Sequence, residues 1–122
     1  MPALKALTDP EIAARLADQP RWRFVNGALR RLYRTHGWKG SMMVANSVAH
    51  LAEAAWHHPD LSVSWDKVEV ALSTHDVGGI SERDFELARK IEDVVCWRPG
   101  RDGGALEGTP ADPRFAYVAY DD

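Results

Sequence analysis

The chain has 122 residues, 45% hydrophobic and 27% charged, with a formal net charge of −3; these values fit one globular domain and exclude a disordered or fibrous chain. Its lysines and arginines are scattered, leaving no basic footprint for a phosphate backbone and arguing against nucleic acid as a direct partner. The single cysteine, Cys96, excludes an intrachain disulfide and fits a reducing cytoplasm, while Met1 to Lys5 is too short for a signal segment and no apolar run approaches the ~18 residues of a membrane span.

Thr8-Asp9-Pro10-Glu11 has the spacing of a capping box, and Ile12 and Leu16 continue an apolar stripe, predicting a short helix to about Ala17 that Pro20 closes. Trp22 to Val25 and Ala28 to Arg34 flank Asn26-Gly27, a pair that readily takes positive φ, and predict a hairpin. From Ser41 to Trp56, Val44, Val48, Leu51, Ala52 and Ala55 recur at helical spacing, with Pro59 just beyond. Leu61, Val63 and Trp65 alternate with serines, and Val68, Val70 and Leu72 alternate with Glu69, Ala71 and Ser73. These predict two half-buried strands in a second hairpin turning at Asp66-Lys67. Gly78-Gly79 breaks the chain, and Ser81-Glu82-Arg83-Asp84 opens a last helix through Phe85, Leu87, Ala88 and Ile91 to about Trp97.

Residues 99–113 carry four Gly and three Pro, a loop composition, before Phe115 to Tyr120 offers a short strand. The expected organisation is a domain over residues 1–98 and a Gly/Pro-rich extension over 99–122. The expected fold is α+β, a four-stranded antiparallel sheet with about three helices packed on one face. The opposite face of so small a sheet stays open, which predicts a homo-oligomer.

Chemistry-bearing side chains concentrate in the middle of the chain: Glu53, His57-His58-Pro59, Trp65, His75 and Asp84. Imidazole titrates nearest neutrality, so clustering it beside carboxylates points to acid–base chemistry. Residues four apart on a helix stand one above the other, so Glu53 is expected to share a face with His57 and orient it. Pro59 forces the chain out of the helix and fixes where the ring is presented. Taken singly, each piece has a plain structural reading. The histidine pair reads as a polar helix terminus, Asp84 as a capping-box acid, Trp65 as a buried strand aromatic, and His75 as a surface residue. Only their joint spacing favours chemistry. A metal site of His50, Glu53 and His57 on one helical face lacks the HExxH arrangement, and neither Cys96 nor any serine sits in a nucleophile-activation motif.

With these residues the sequence resembles the pterin-4a-carbinolamine dehydratases, also called 4a-hydroxytetrahydrobiopterin dehydratases. Their pattern of an acidic or polar residue, His-His-Pro, an aromatic residue, His and Asp is met at fitting intervals by Glu53, His57-His58-Pro59, Trp65, His75 and Asp84. The stretches LTDPEIAARL, LAEAAWHHPDLSVSW and KVEVALSTHDVGGISERDFELARKIE resemble the family too, over residues 4–95. Trp56 departs from it, standing where polar residues are common, and the tail from Pro99 to Asp122 extends past the usual end. The resemblance implies dehydration of a 4a-hydroxytetrahydropterin to quinonoid dihydropterin, in the recycling that serves aromatic amino acid hydroxylases. It implies His57 and His75 in proton transfer, His58 mainly holding the pterin, Glu53 and Asp84 orienting the site, Trp65 flanking the flat ring and Pro59 setting geometry. No metal or external cofactor is implied, the pterin being the substrate, and the chain is expected as a homodimer or homotetramer. A non-catalytic or moonlighting binding or assembly protein on the same scaffold is the alternative.

Overall fold

Thr8 starts the first helix as its spacing predicts. In the computed structural model, which describes residues 3–121, the Thr8 hydroxyl accepts from the Glu11 N–H and the Glu11 carboxylate accepts from the Thr8 N–H, a complete capping box ahead of α1 (Asp9–Leu16). Met1 and Pro2, the beginning of the stretch read as too short for a signal, and Asp122 of the extension lie outside the described residues. β1 (Arg23–Val25) and β2 (Ala28–Thr35) are joined by Asn26 and Gly27 at φ of 50° and 75°. Positive φ at both turn positions matches the twist of the flanking strands, and glycine adopts it without a Cβ penalty.

α2 (Trp38–Ala55) begins three residues before the apolar periodicity does. No side chain caps it, so the usual sequence signal is missing. Its first turn is fixed by tertiary contacts instead: the buried Ser41 hydroxyl lies 2.8 Å from that of Thr35 and donates to the Trp65 carbonyl at 3.0 Å. β3 (Asp60–Ser64) and β4 (Lys67–Leu72) turn at Trp65-Asp66, one residue earlier than expected. A 3₁₀ turn over His75–Val77 leads to α3 (Glu82–Val95), whose capping box joins Ser81 and Asp84. β5 (Val118–Ala119) is the last strand.

The sheet is antiparallel in the order β1-β2-β4-β3, and β5 pairs with the end of β2 through Arg34↔Ala119 and Thr35↔Val118. The extension thus adds a fifth strand to the expected four. Register places Leu29 beside Leu72, Arg31 beside Val70 and Tyr33 beside Val68, with Leu61 and Val63 of β3 on the far side of Val70 and Val68. This face meets Ile12 of α1, Val44 and Val48 of α2, and Phe85, Leu87, Ala88 and Ile91 of α3 in one core. The outer face carries the Arg30–Glu69 ion pair at 2.9 Å with Ser62, Arg34 and Lys67 around it.

One cluster of charges lies on the helix side. Arg31 holds both carboxylate oxygens of Glu92, at 2.8 and 3.0 Å, and reaches Asp121 at 2.9 Å, while the Tyr33 hydroxyl donates to Glu92 at 2.8 Å. Burial works against the Glu92 charge, but the hydrogen bonds from Arg31 and Tyr33 outweigh it and hold Glu92 below the usual carboxylate range. Burial and then the Glu92 charge push Tyr33 far above the normal phenol value. The same two causes push the Cys96 thiol up to about 12, which removes it as a nucleophile near neutrality.

Candidate active site

α2 ends on a tryptophan rather than a glycine. Trp56 adopts the left-handed conformation at φ 51° and ψ 46°; its N–H donates to the Glu53 carbonyl at 3.2 Å, and the next N–H, of His57, reaches back to the Ala52 carbonyl at 3.1 Å. This paired closure is the Schellman arrangement, and it swings His57 off the helix. The His57 ring then meets α3, with Nε2 2.6 Å from Oδ1 of Asp84; the histidine side chain is 13% exposed and the aspartate 0%. Glu53 instead reaches His58, with Oε1 2.8 Å from Nε2, and that pair is largely in solvent. The expected Glu53–His57 pairing is therefore corrected: the four-residue rule holds only while the helix continues, and this one stops at Ala55. For the same reason His50, Glu53 and His57 do not share a helical face. Among the described residues no group of three ligand-type side chains is placed to hold a metal ion.

Asp84 serves two elements at once. Its Oδ2 accepts from the Ser81 N–H at 2.9 Å, closing the cap of α3, and from the Thr74 hydroxyl at 2.6 Å, while Oδ1 faces His57. The capping reading of this residue is met by Oδ2, and the other oxygen is left to face His57. Thr74 and Ser81, 2% and 0% exposed, complete the network with their hydroxyls 2.7 Å apart. Spacing gives no hint of Thr74, which stands one place before His75 and bridges to Gly79. His75 opens the 3₁₀ turn, exposed, and its ring makes no hydrogen bond or ring contact among the described residues. Pro59, half-buried, links His58 to β3.

Trp65 does not join the histidines of its own chain, and it is not a buried strand aromatic. It occupies the turn at the far end of the β3–β4 hairpin, roughly 17 Å away by strand rise, 66% exposed and with its ring against Gly37. The aromatic beside the histidine pair is Trp56, 75% exposed, which meets His58 edge-on with ring centroids 5.0 Å apart. His57 borders an open groove of about 600 Å³ between α2 and α3, lined by the apolar Leu51, Ala54, Ala55 and Leu87 and by the charged Arg83, Glu86, Arg89, Lys90 and Asp93.

The model of the family described as pterin 4 alpha carbinolamine dehydratase matches residues 5–94. The chain belongs to this family. It is thereby a member of a family of dehydratases, enzymes of the hydro-lyase type. Among its relatives, the Aquifex aeolicus protein named "Putative pterin-4-alpha-carbinolamine dehydratase" is 42% identical over 92 residues, covering 75% of this chain and 93% of its own length. A protein of the same name from Chloroflexus aurantiacus is 40% identical over 89 residues, covering 73% and 96%. In three dimensions the chain is similar to a transcriptional coactivator/pterin dehydratase from Brucella melitensis, with TM-score 0.70 and 27% identity over 75% of this chain and 99% of that one. The family match ends at Val94, so β5 and the extension lie outside it. No helix among the described residues is long and apolar enough to cross a membrane.

Proposed function

We propose that this pterin dehydratase family member removes water from a 4a-hydroxytetrahydropterin, the pterin-4a-carbinolamine, giving quinonoid dihydropterin in tetrahydropterin recycling. The observation that carries this reading is the 2.6 Å contact of His57 with the fully buried Asp84 at the edge of the α2–α3 groove. Hydroxide is a poor leaving group. A general acid therefore protonates the C4a oxygen as the C–O bond breaks and water departs. A base accepts the N5 proton, and the electrons of that N–H bond become the second bond between N5 and C4a. His57 and His75 carry these transfers. His57 is held by Asp84 in one orientation, which lowers the entropic cost of reaching a reactive geometry.

His58, tied to Glu53, holds the pterin, and Pro59 fixes the direction in which the pair is presented. Trp56, edge-on to His58, supplies the aromatic flank that a single chain offers. The scheme uses no metal and no external cofactor, and a homodimer or homotetramer working beside an aromatic amino acid hydroxylase is part of the reading. The test is the decay of 4a-hydroxytetrahydropterin, generated in situ by a hydroxylase and followed by absorbance. Acceleration that falls by ~10² or more with His57→Ala or His75→Ala is expected for loss of general acid–base help; folded protein that gives no acceleration would overturn the reading. A binding or assembly role is the second reading, favoured by the double name of the Brucella melitensis protein, and a stable protein complex formed by inactive but folded chain would support it.

A further inference from the structure

We infer that Thr74 and Ser81 are positioning residues for His57, acting through Asp84, and that they leave Nδ1 of His57 as the nitrogen that exchanges a proton with the substrate. The inference rests on the dehydratase reading of the same site. Its basis is a count of hydrogens. The Thr74 hydroxyl has one proton, and it is donated to Oδ2 of Asp84 at 2.6 Å. The 2.7 Å contact between Thr74 and Ser81 must then be donated by Ser81, whose oxygen accepts in turn from the Arg83 N–H at 3.2 Å. Oδ2 also receives the Ser81 N–H at 2.9 Å. Every proton in the network points toward Asp84.

An ionised carboxylate only accepts, so its remaining oxygen, Oδ1, requires a proton on Nε2 of His57. In the neutral ring the lone pair is then on Nδ1. Thr74, Ser81 and Asp84 are at most 2% exposed, so bulk water has no ready access to replace a lost donor. Thr74 also fixes the backbone from which His75 departs: its N–H donates to the Gly79 carbonyl at 2.7 Å, closing the loop that carries His75. One side chain therefore holds the partner of the first histidine while its own backbone anchors the second.

The test begins without substrate, by ¹⁵N–¹H long-range correlation spectra of the His57 ring in wild-type protein above neutral pH. A proton on Nε2 is expected, and a proton on Nδ1 would overturn the inference. Thr74→Val removes the donor at nearly constant shape. A fall in kcat of about 10-fold to 100-fold is expected, because small misplacements of a reacting group carry penalties of that order. KM should stay within about twofold and the His57 spectrum should become a tautomer mixture; Thr74→Ser should restore both readouts. Folded Thr74→Val with unchanged kcat and unchanged ring spectrum would sink the idea. If Thr74→Val does not fold, Ser81→Ala decides, with a smaller fall in kcat expected and no change counting against it. Wild-type protein devoid of dehydratase activity would defeat the functional reading, while the ring spectrum would still judge the tautomer assignment on its own.

Discussion

At Asp84 a single carboxylate satisfies a helix terminus with one oxygen and a histidine with the other. The two roles can be separated by one atom. Asparagine at this position keeps an oxygen for the Ser81 N–H and the Thr74 hydroxyl, but turns an amide donor toward His57. Nε2 would then have to accept, which forces the proton to Nδ1 and presents the substrate with the wrong tautomer. Asp84→Asn is therefore expected to lower kcat strongly, by up to ~10⁴, the loss that a tautomer-inverting Asp→Asn change causes beside a catalytic histidine. Steady-state kinetics paired with a thermal melt check this. An equal loss of activity and of folded structure would mean that only the cap matters. Sequence spacing brought Asp84 and His57 into one candidate site, but it could not reveal Thr74, because a hydroxyl that meets its partner through tertiary folding leaves no periodic trace.

Elements were legible wherever the signal is local. Both capping boxes and the Asn26-Gly27 hairpin form from side chains within a few residues of each other, and the strand alternation correctly placed Val68, Val70 and Leu72 inside. The ends of α2 were not legible in this way, since its start relies on the Ser41 tertiary contacts and its end on a left-handed tryptophan. The left-handed conformation costs a residue with a Cβ roughly 1–2 kcal/mol, and glycine is the usual occupant of such a terminus. With Trp56 75% exposed, little burial is lost on removing its ring. Trp56→Gly is accordingly expected to stabilise the fold by about 0.5–1 kcal/mol once glycine's greater unfolded-state freedom is discounted. Urea denaturation measures it, and a destabilised variant would show that the Trp56–His58 contact is worth more than the strain. A gain in stability together with a raised KM would mark the ring as retained for binding.

For the whole molecule the charge cluster and the extension act together. Glu92 has a folded value below its unfolded one, so its contribution is present above about pH 4.3 and is lost as pH falls through the lower folded value. Tyr33 is displaced upward, so its contribution is present below about pH 10 and lost as pH rises beyond it. Glu92→Gln should flatten the acid limb of a stability–pH curve, and an unchanged limb would place its cause elsewhere. Asp121 links this cluster to the extension, which packs closely enough that a Cβ at Gly40 would strike the Tyr117 carbonyl. Val118, 4% exposed, sits in the same core as the central strands. If the extension is part of the cooperative unit, Val118→Ala removes buried methyl surface as a core position would, at a cost of about 2 kcal/mol. An extension that unfolds separately would instead melt before the domain and leave the main transition unmoved. Denaturant curves of Val118→Ala beside Val70→Ala distinguish the two. Comparable losses in one shared transition are expected, because β5 is hydrogen-bonded to β2 and its valine belongs to the same buried core as residues of α2 and α3.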